Sequence, residues 1–593
     1  MTAGTGADLA ARDDDVAVVG LGCRVPGAAD PEALWRRLLD GVDSVRRYGA
    51  DELLAAGIPA AVLDDPAYVP AAGHLDDAAG FDAELFGMTD REAGLTDPQQ
   101  RLFLEVAWTA LEHAGQDVSR VDGPVGVFAG AGPNRYFVQN LLGNPAAGPA
   151  GDPTDPAGLL GPTLSPDYLP MRVSYRLGLT GPSVAVQTAC SSSLVAVCLA
   201  VQAVADYRCD LAVAGGASLA TAGPAPLGGY RARSGATAPD GLFRPFDAAA
   251  QGSVPGSGAA AVVLKRLGDA LADGDHVHAV VRGWGIANDG AGRAGFAAPG
   301  VSGLAAAVME ALAAAEVDAD TVGYVEAHGS ATRVGDALEA EALTRAFGAR
   351  GAGGAGCLLG SARAALGNLD AASGVVGLLA AVLAVRDGVV PPTPHLDTPS
   401  PDLDLDDGPF RLATKTTPWT GAGARRAGVS SIGQGGTTAH VLVEQPPAAP
   451  AAAEPPTPQV LALSARTPAA LAAVAARLAG HLEAHPDLPL RDVAWTLATG
   501  RHAFHHRRAL ACRSTADAVA QLRAGAGSGA GASAGAGPAQ LAAAGPGELA
   551  AAWVAGADRD LRELFARERP RRVPLPAYPF ERTRHWIVPG GSR

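Results

Sequence analysis

A layered α/β fold is what this sequence predicts, on three observations. Between residues 14 and 445, short apolar segments alternate with alanine-rich, amphipathic stretches. The apolar segments each read as a strand buried inside the molecule. The 593-residue chain is 48% hydrophobic and only 18% charged, with 76 glycines and 45 prolines, which suits a large core crossed by many loops. At ~150 residues per domain, the length predicts about three or four domains.

Taken in order, the first strand is VAVVGLG (16–22). The amphipathic stretches PEALWRRLLDG and PQQRLFLEVAWTALEHAG follow it. VGVFAG (125–130), SVAVQTA (183–189), DLAVAGG (210–216) and AAAVVLKRL (259–267) are the next strands, and the alternation predicts largely parallel sheets. No repeat of 20–50 residues is visible. The segment QPPAAPAAAEPPTP (445–458) marks a boundary, and residues 459–523 beyond it read as a small α/β module. A low-complexity Gly/Ala tract occupies 524–547 and predicts flexibility. The end of the chain, 549–589, closes with VPLPAYPFERTRHWIVP, rich in proline and aromatic anchors without periodicity, and is expected to wrap along another surface.

The net charge of −15 argues against general nucleic-acid binding, which needs a basic face. None of the six cysteines forms a CxxC pair, so reduced thiols are expected rather than disulfides or a zinc site. The polar N-terminus is not a signal peptide and no apolar run reaches ~18 residues, so a cytoplasmic protein without a membrane span is expected. The histidines of HAFHHRR (502–508) lack acidic or cysteine partners and read as surface residues, with no metal expected.

The stretch VQTACSSSLVAVCLAVQAVADY (186–207) carries the most chemistry. A strand enters TAC, then serines, then a long apolar helix, so Cys190 is placed at a strand-to-helix turn. The positive end of the helix dipole there favours a thiolate, and free backbone N–H groups could hold an oxyanion. Cys198 and Cys209 read as core residues.

GPSVAVQTACSSSLVAV resembles the nucleophile motif of β-ketoacyl synthases, specifically the ketosynthase domains of modular type I polyketide synthases. The resemblance continues in family order through FDAELFGMTDREAGLTDPQQRLFLEVAWTALEHAG, DGLFRPFDA (240–248), NDG (288–290), YVEAHGSATRVGDALE (324–339) and GVSSIGQGGTTAHVLVE (428–444), covering roughly 14–445. Residues 459–523 resemble the linker between a ketosynthase and an acyltransferase, and 549–589 the segment after the acyltransferase that folds back onto the ketosynthase. The acyltransferase, with its GxSxG elbow, has no place in the tract between them, so a freestanding ketosynthase is expected.

The resemblance implies a thiolase-like, five-layered αβαβα fold, α/β in class, with two similar halves and a homodimeric state. It implies no bound cofactor. The substrate would arrive on the phosphopantetheine arm of an acyl or peptidyl carrier protein and be transferred to the nucleophile Cys190. His328 matches the first histidine of the family, able to donate to a thioester carbonyl or move a proton. Ser330 and Thr332 match the hydroxyl positions that hold the pantetheine arm.

Departures from the family pattern cluster in GSARAALGNLDAASG (360–374), where Arg363, Ala365 and Asn368 stand in place of lysine, asparagine and the second histidine. Arg363 keeps a supporting charge without the shape of lysine. Asn368 can donate an N–H to an oxyanion but cannot titrate near pH 7. Cys–His–Asn sets occur in chalcone-synthase-like enzymes and in the condensing enzymes that start bacterial fatty-acid chains, and those still decarboxylate malonyl groups. In the closing loop, Ile432, Gln434 and Thr438 replace the usual Phe, apolar residue and Asn, and a polar Gln434 suggests a functionalised acyl group. Backbone N–H groups near Cys190 and Gly433 are the expected oxyanion donors, and His440 reads as structural.

The favoured expectation is carbon–carbon bond formation without malonyl decarboxylation, an intramolecular aldol-type cyclisation and release, as in the ketosynthase-like cyclases that make the cores of salinosporamide-type natural products. The alternatives are decarboxylative Claisen condensation with a malonyl-carrier protein, and a condensation-silent acyl-transfer or scaffold role.

Overall fold

The computed structural model describes residues 12, 14–121, 123–151, 161, 163–348, 356–405, 408–420, 423–448, 458–524, 547–556, 560–565 and 570–589. Its centre is one continuous eleven-stranded sheet made of two halves with the same internal order. The first half runs β1 (Val16–Arg24), α1 (Pro98–His113), β2 (Val125–Ala131), α2 (Tyr168–Leu177), β3 (Ser183–Ala185), α3 (Ser192–Ala205), β4 (Leu211–Ser218) and β5 (Gly258–Arg266). The second runs β6 (Ala279–Asn288), α4 (Val301–Ala315), β7 (Tyr324–Glu326), α5 (Arg333–Phe347), β8 (Cys357–Gly360), α6 (Ser373–Asp387), β9 (Phe410–Leu412), β10 (Arg426–Ile432) and β11 (Thr437–Glu444).

The strand order is β1-β5-β4-β2-β3 in the first half and β6-β11-β10-β7-β8 in the second, with β9 added at the edge and β1 paired to β6 across the seam. Helices α1 and α2 cover one outer face, α4 and α5 the other, and α3 and α6 pack against each other between the two half-sheets. This is the five-layered αβαβα arrangement of the thiolase type. Nearly every side chain of α3 and α6 is buried, as a helix apolar all round requires. Gly374, in the first turn of α6, lets the two helices close on each other: a Cβ there would stand 2.7 Å from the Leu194 Cβ. The N-termini of α3 and α6 are thereby brought side by side.

The expectation of largely parallel sheets is corrected. β1, β5 and β4 pair antiparallel, as do β6, β11 and β10, and only β4-β2-β3 and β10-β7-β8-β9 run parallel. A continuous apolar run reports burial on both faces, not direction. Direction is set by the connections, and the four-residue turn between Ile432 and Thr437 forces an antiparallel return. SVAVQTA is also shorter as a strand than expected, ending at Ala185 so that the chain can turn into α3.

Beyond the sheet, β12 (Gln459–Ala465) and β13 (His506–Cys512) pair antiparallel beneath α7 (Pro468–Ala484), α8 (Leu490–Thr499) and α9 (Thr515–Ala524). This unit seats on the end of α1, where Arg501 Nη1 donates to the Glu112 carbonyl at 2.5 Å. Of the Gly/Ala tract, residues 525–546 lie outside the described residues. From residue 570 the chain runs extended over both units. The Tyr578 N–H donates to Glu112 Oε2 at 2.6 Å, Thr583–Arg584 add a strand to Gly80–Phe81, and the His585 carbonyl accepts from Arg101 at 2.8 Å. Buried Glu105 clamps this crossing: it takes Arg24 of β1 at 3.0 Å and Arg582 of the final segment at 2.8 Å on one oxygen. No described helix is long and apolar enough to cross a membrane.

Candidate active site

The chain reverses sharply before α3. Ala189 adopts a left-handed backbone (φ 58°), which costs a residue with a side chain and is held by a lattice of hydroxyls. Ser191 Oγ donates to the Thr188 carbonyl at 2.8 Å, Ser192 Oγ to the Ala189 carbonyl at 2.6 Å, and the Thr188 N–H to Ser192 Oγ at 2.9 Å. The serines after Cys190 are thus the braces of the turn. Cys190 is the one partly exposed cysteine of the six, and it opens into a cavity of about 1520 Å³ that His328, Arg363, Asn368, Ile432, Gly433 and Gln434 also line.

Across from the sulfur stands a group that the motifs do not single out. Cys190 Sγ donates to Asp370 Oδ1 at 3.7 Å. Asp370 is itself left-handed (φ 48°), and its N–H donates to Asn368 Oδ1 at 3.0 Å, with Ser373 Oγ donating to the same oxygen at 3.3 Å. Asn368 therefore spends its carbonyl oxygen on the turn that aims Asp370 at the sulfur, and keeps its amide N–H2 for the cavity. The helix dipole does not leave Cys190 a ready thiolate, contrary to expectation. Burial, and then the Asp370 carboxylate, push its thiol up to about 11. Alkylation of Cys190 by iodoacetamide, read by peptide mass, is accordingly expected to climb about tenfold per pH unit between roughly pH 7 and 10. A rate that levels off near the ordinary thiol value of about 8.5 would contradict this.

His328 follows β7 on a loop pinned from below. Buried Glu339 accepts the N–H groups of His328 at 2.6 Å and Gly329 at 2.8 Å, and Arg363 Nη1 donates to the His328 carbonyl at 2.5 Å. The Ile432 N–H donates to His328 Nδ1 at 3.3 Å, which fixes the ring proton on Nε2. Burial, with the Arg363 charge adding to it, holds the imidazole well below its usual range. The expectation of a ring tuned near neutrality is corrected: His328 is a neutral Nε2–H donor. Arg363 is buried, packs 5.6 Å from the centre of the Phe243 ring, and supports the His328 loop through backbone carbonyls.

Two further expectations change. The Gly433 N–H is taken by the Thr437 carbonyl at 2.8 Å, so among the described residues the backbone donor left where that loop lines the cavity is the N–H of Gln434. Gly433 is glycine for space, since a Cβ would fall 2.2 Å from the Thr188 carbonyl oxygen. Ser330 and Thr332 line the cavity, but their hydroxyls are committed to the start of α5. Ser330 Oγ donates to Asp336 Oδ1 at 2.9 Å, the two hydroxyls bond each other at 2.8 Å, and Thr332 Oγ1 accepts from the Gly335 N–H at 3.1 Å. Thr332 Oγ1 remains able to accept, not donate, while Ser330 Oγ is filled by accepting from both the Thr332 hydroxyl and the Thr332 N–H at 3.2 Å. His440 is buried against Ser430 (2.9 Å), a core contact.

Comparison with known proteins agrees with the fold. The family model "Beta-ketoacyl synthase, N-terminal domain" matches residues 13–270, its C-terminal counterpart residues 278–397, and "CurL-like, PKS C-terminal" residues 459–522. A component of the phenolphthiocerol/phthiocerol polyketide synthase of Mycobacterium tuberculosis is 43% identical over 505 residues, 82% of this chain and 33% of that protein. A spectinabilin polyketide synthase system protein of Streptomyces orinoci is 40% identical over 520 residues, 86% of this chain and 14% of that one. The chain thus spans a third or less of these relatives. Among solved structures, ketosynthase twelve of the bacillaene polyketide synthase of Bacillus amyloliquefaciens superposes with a TM-score of 0.83 at 33% identity, covering 97% of this chain and 100% of that one. An oxazolomycin ketosynthase domain of Streptomyces albus gives 0.81 at 33% identity, covering 97% and 98%.

Proposed function

The chain belongs to the β-ketoacyl synthase family, as a ketosynthase of type I polyketide synthases, and from that premise we propose that it takes an acyl group from a carrier protein onto Cys190 and forms a carbon–carbon bond without decarboxylating a malonyl unit, by intramolecular aldol-type ring closure. The observation that carries this reading is the Asp370 carboxylate 3.7 Å from the Cys190 sulfur, with Asn368 turned to hold it there. A malonyl group brought up to an acylated Cys190 would set its own carboxylate against Asp370, and like charges at this range repel strongly in a partly buried site. The place of a second histidine is held by Asn368, an amide that can still donate through its N–H2 but cannot carry a proton on and off near pH 7.

In this reading the His328 Nε2–H and the Gln434 backbone N–H receive the thioester oxygen as negative charge develops on it. Arg363 keeps the His328 loop in place. The carrier protein presents its phosphopantetheine thioester through the cavity past Ser330 and Thr332, where the Thr332 Oγ1 accepts from an amide N–H of the arm. A homodimer is part of the proposal on family grounds.

The test supplies purified protein with an acyl-carrier protein and a malonyl-carrier protein, and records intact mass and CO2 separately. The acyl-enzyme is expected, with CO2 no faster than from the same mixture without enzyme. Enzyme-dependent CO2 would sink the reading and restore decarboxylative condensation.

A further inference from the structure

We propose that the Asp370 carboxylate is the base that removes the α-C–H proton from the acyl group held on Cys190, which makes Asp370 a catalytic residue and defines the substrate as an acyl chain with an acidic α-carbon and a second carbonyl within ring-closing reach. This deepens the non-decarboxylative reading and rests on it.

The geometry points to Asp370 in three ways. The carboxylate already accepts the thiol proton of Cys190. In a thioester the α-carbon lies two bonds from the sulfur, so it falls within the same reach of Oδ1. Second, Asp370 is held in a backbone region unfavourable for a residue with a side chain, and the Asn368 oxygen on its N–H secures that strain. Gly132 leaves it room, since a Cβ there would stand 3.3 Å from Asp370 Oδ2. Third, the alternatives are occupied. His328 has Nδ1 bonded to the Ile432 N–H and carries its proton on Nε2. Glu339 is engaged by two backbone N–H groups, and Asn368 does not titrate. Burial raises the proton affinity of Asp370 above that of a surface carboxylate, its bond to Cys190 and the charges of Arg135 and Arg363 opposing this, so it is a stronger base than an exposed aspartate.

One carboxylate then serves two steps. During loading, the Cys190 S–H proton passes to Asp370 as sulfur attacks the carrier thioester; the carbon–sulfur bond to the pantetheine breaks, and the departing sulfur takes the proton from Asp370. During ring closure, Asp370 takes the α-proton and the C–H electron pair moves into an enolate whose oxygen faces His328 Nε2–H. The α-carbon attacks the second carbonyl of the same chain, forming the carbon–carbon bond, and the new alkoxide recovers the proton from Asp370. No CO2 is lost and no oxidant is needed.

The test uses the whole protein loaded with phenylacetyl N-acetylcysteamine thioester in D2O. The probe has acidified α-hydrogens and no carbonyl for ring closure, so the result does not depend on cyclisation. Deuterium at the α-carbon of the Cys190-bound phenylacetyl group is read by peptide mass. Wild type is expected to exchange at least about a hundredfold faster than the free thioester, and Asp370→Asn to acylate more slowly and, per acyl-enzyme formed, to lose that acceleration. Asp370→Glu, which keeps the carboxylate, is expected to retain part of it. No acceleration in wild type, a result that needs no variant, overturns the assignment, as does Asp370→Asn exchanging at the wild-type rate. Enzyme-dependent CO2 from malonyl-carrier protein would instead strike the underlying reading, so the two failures are separate.

Discussion

Cys190→Ala is expected to abolish acyl-enzyme formation and to lower turnover of a carrier-bound acyl group by roughly 10⁴-fold or more, the scale on which removal of a nucleophile acts. The fold should survive the change. Cys190 is partly exposed at the head of α3, its sulfur makes one weak bond to Asp370, and the turn is braced by Ser191 and Ser192 rather than by the thiol. Intact mass after incubation with acyl-carrier protein decides the matter: a persisting acyl increment on the variant at the wild-type rate would remove Cys190 from the reaction. The other five cysteines are buried, so relocation of the acyl group is not expected.

The second large effect concerns stability. Glu105→Ala would leave the guanidinium groups of Arg24 and Arg582 facing each other without their shared carboxylate, and would free the Asp82 N–H that donates to Glu105 at 3.2 Å. Removing one partner of a buried ionic cluster costs about 3–5 kcal/mol. Burial raises the Glu105 pKa more than the two arginines lower it, so the cluster is not a net gain over an apolar one; the penalty comes from stranding its cations. Denaturant unfolding should show the loss, and amide exchange over residues 580–587 should quicken as the final segment lifts. A loss below about 1 kcal/mol would mean that the segment is held by its aromatic anchors alone.

Contiguous motifs were the legible part of this molecule. Cys190 and His328 each sit in a stretch whose own residues build the local turn, and both line the cavity. The missing histidine at 368 was equally visible. The placement of Asp370 was not, because its meeting with Cys190 across 180 positions is made by the packing of α3 on α6. A local signal existed: Asn-Leu-Asp ahead of Ser373 is an Asx turn entering a helix, the pattern in which an amide oxygen takes the N–H two residues on. Strand direction was illegible for a different reason, since apolar runs carry no polarity. Which N–H of the closing loop is left for the cavity was not legible either, because a tight turn, not a motif, decides that the Gly433 N–H is spent on the Thr437 carbonyl.

The equivalence of the two halves has a consequence for how such a site could arise. Cys190 precedes α3 and Asp370 precedes α6, which are corresponding helices in the repeated order of strands. Cys190 and Asp370 thus stand just ahead of corresponding helices, one half presenting a sulfur there and the other a charge. A duplicated scaffold of this kind can change its chemistry by altering one copy while the other continues to hold the substrate.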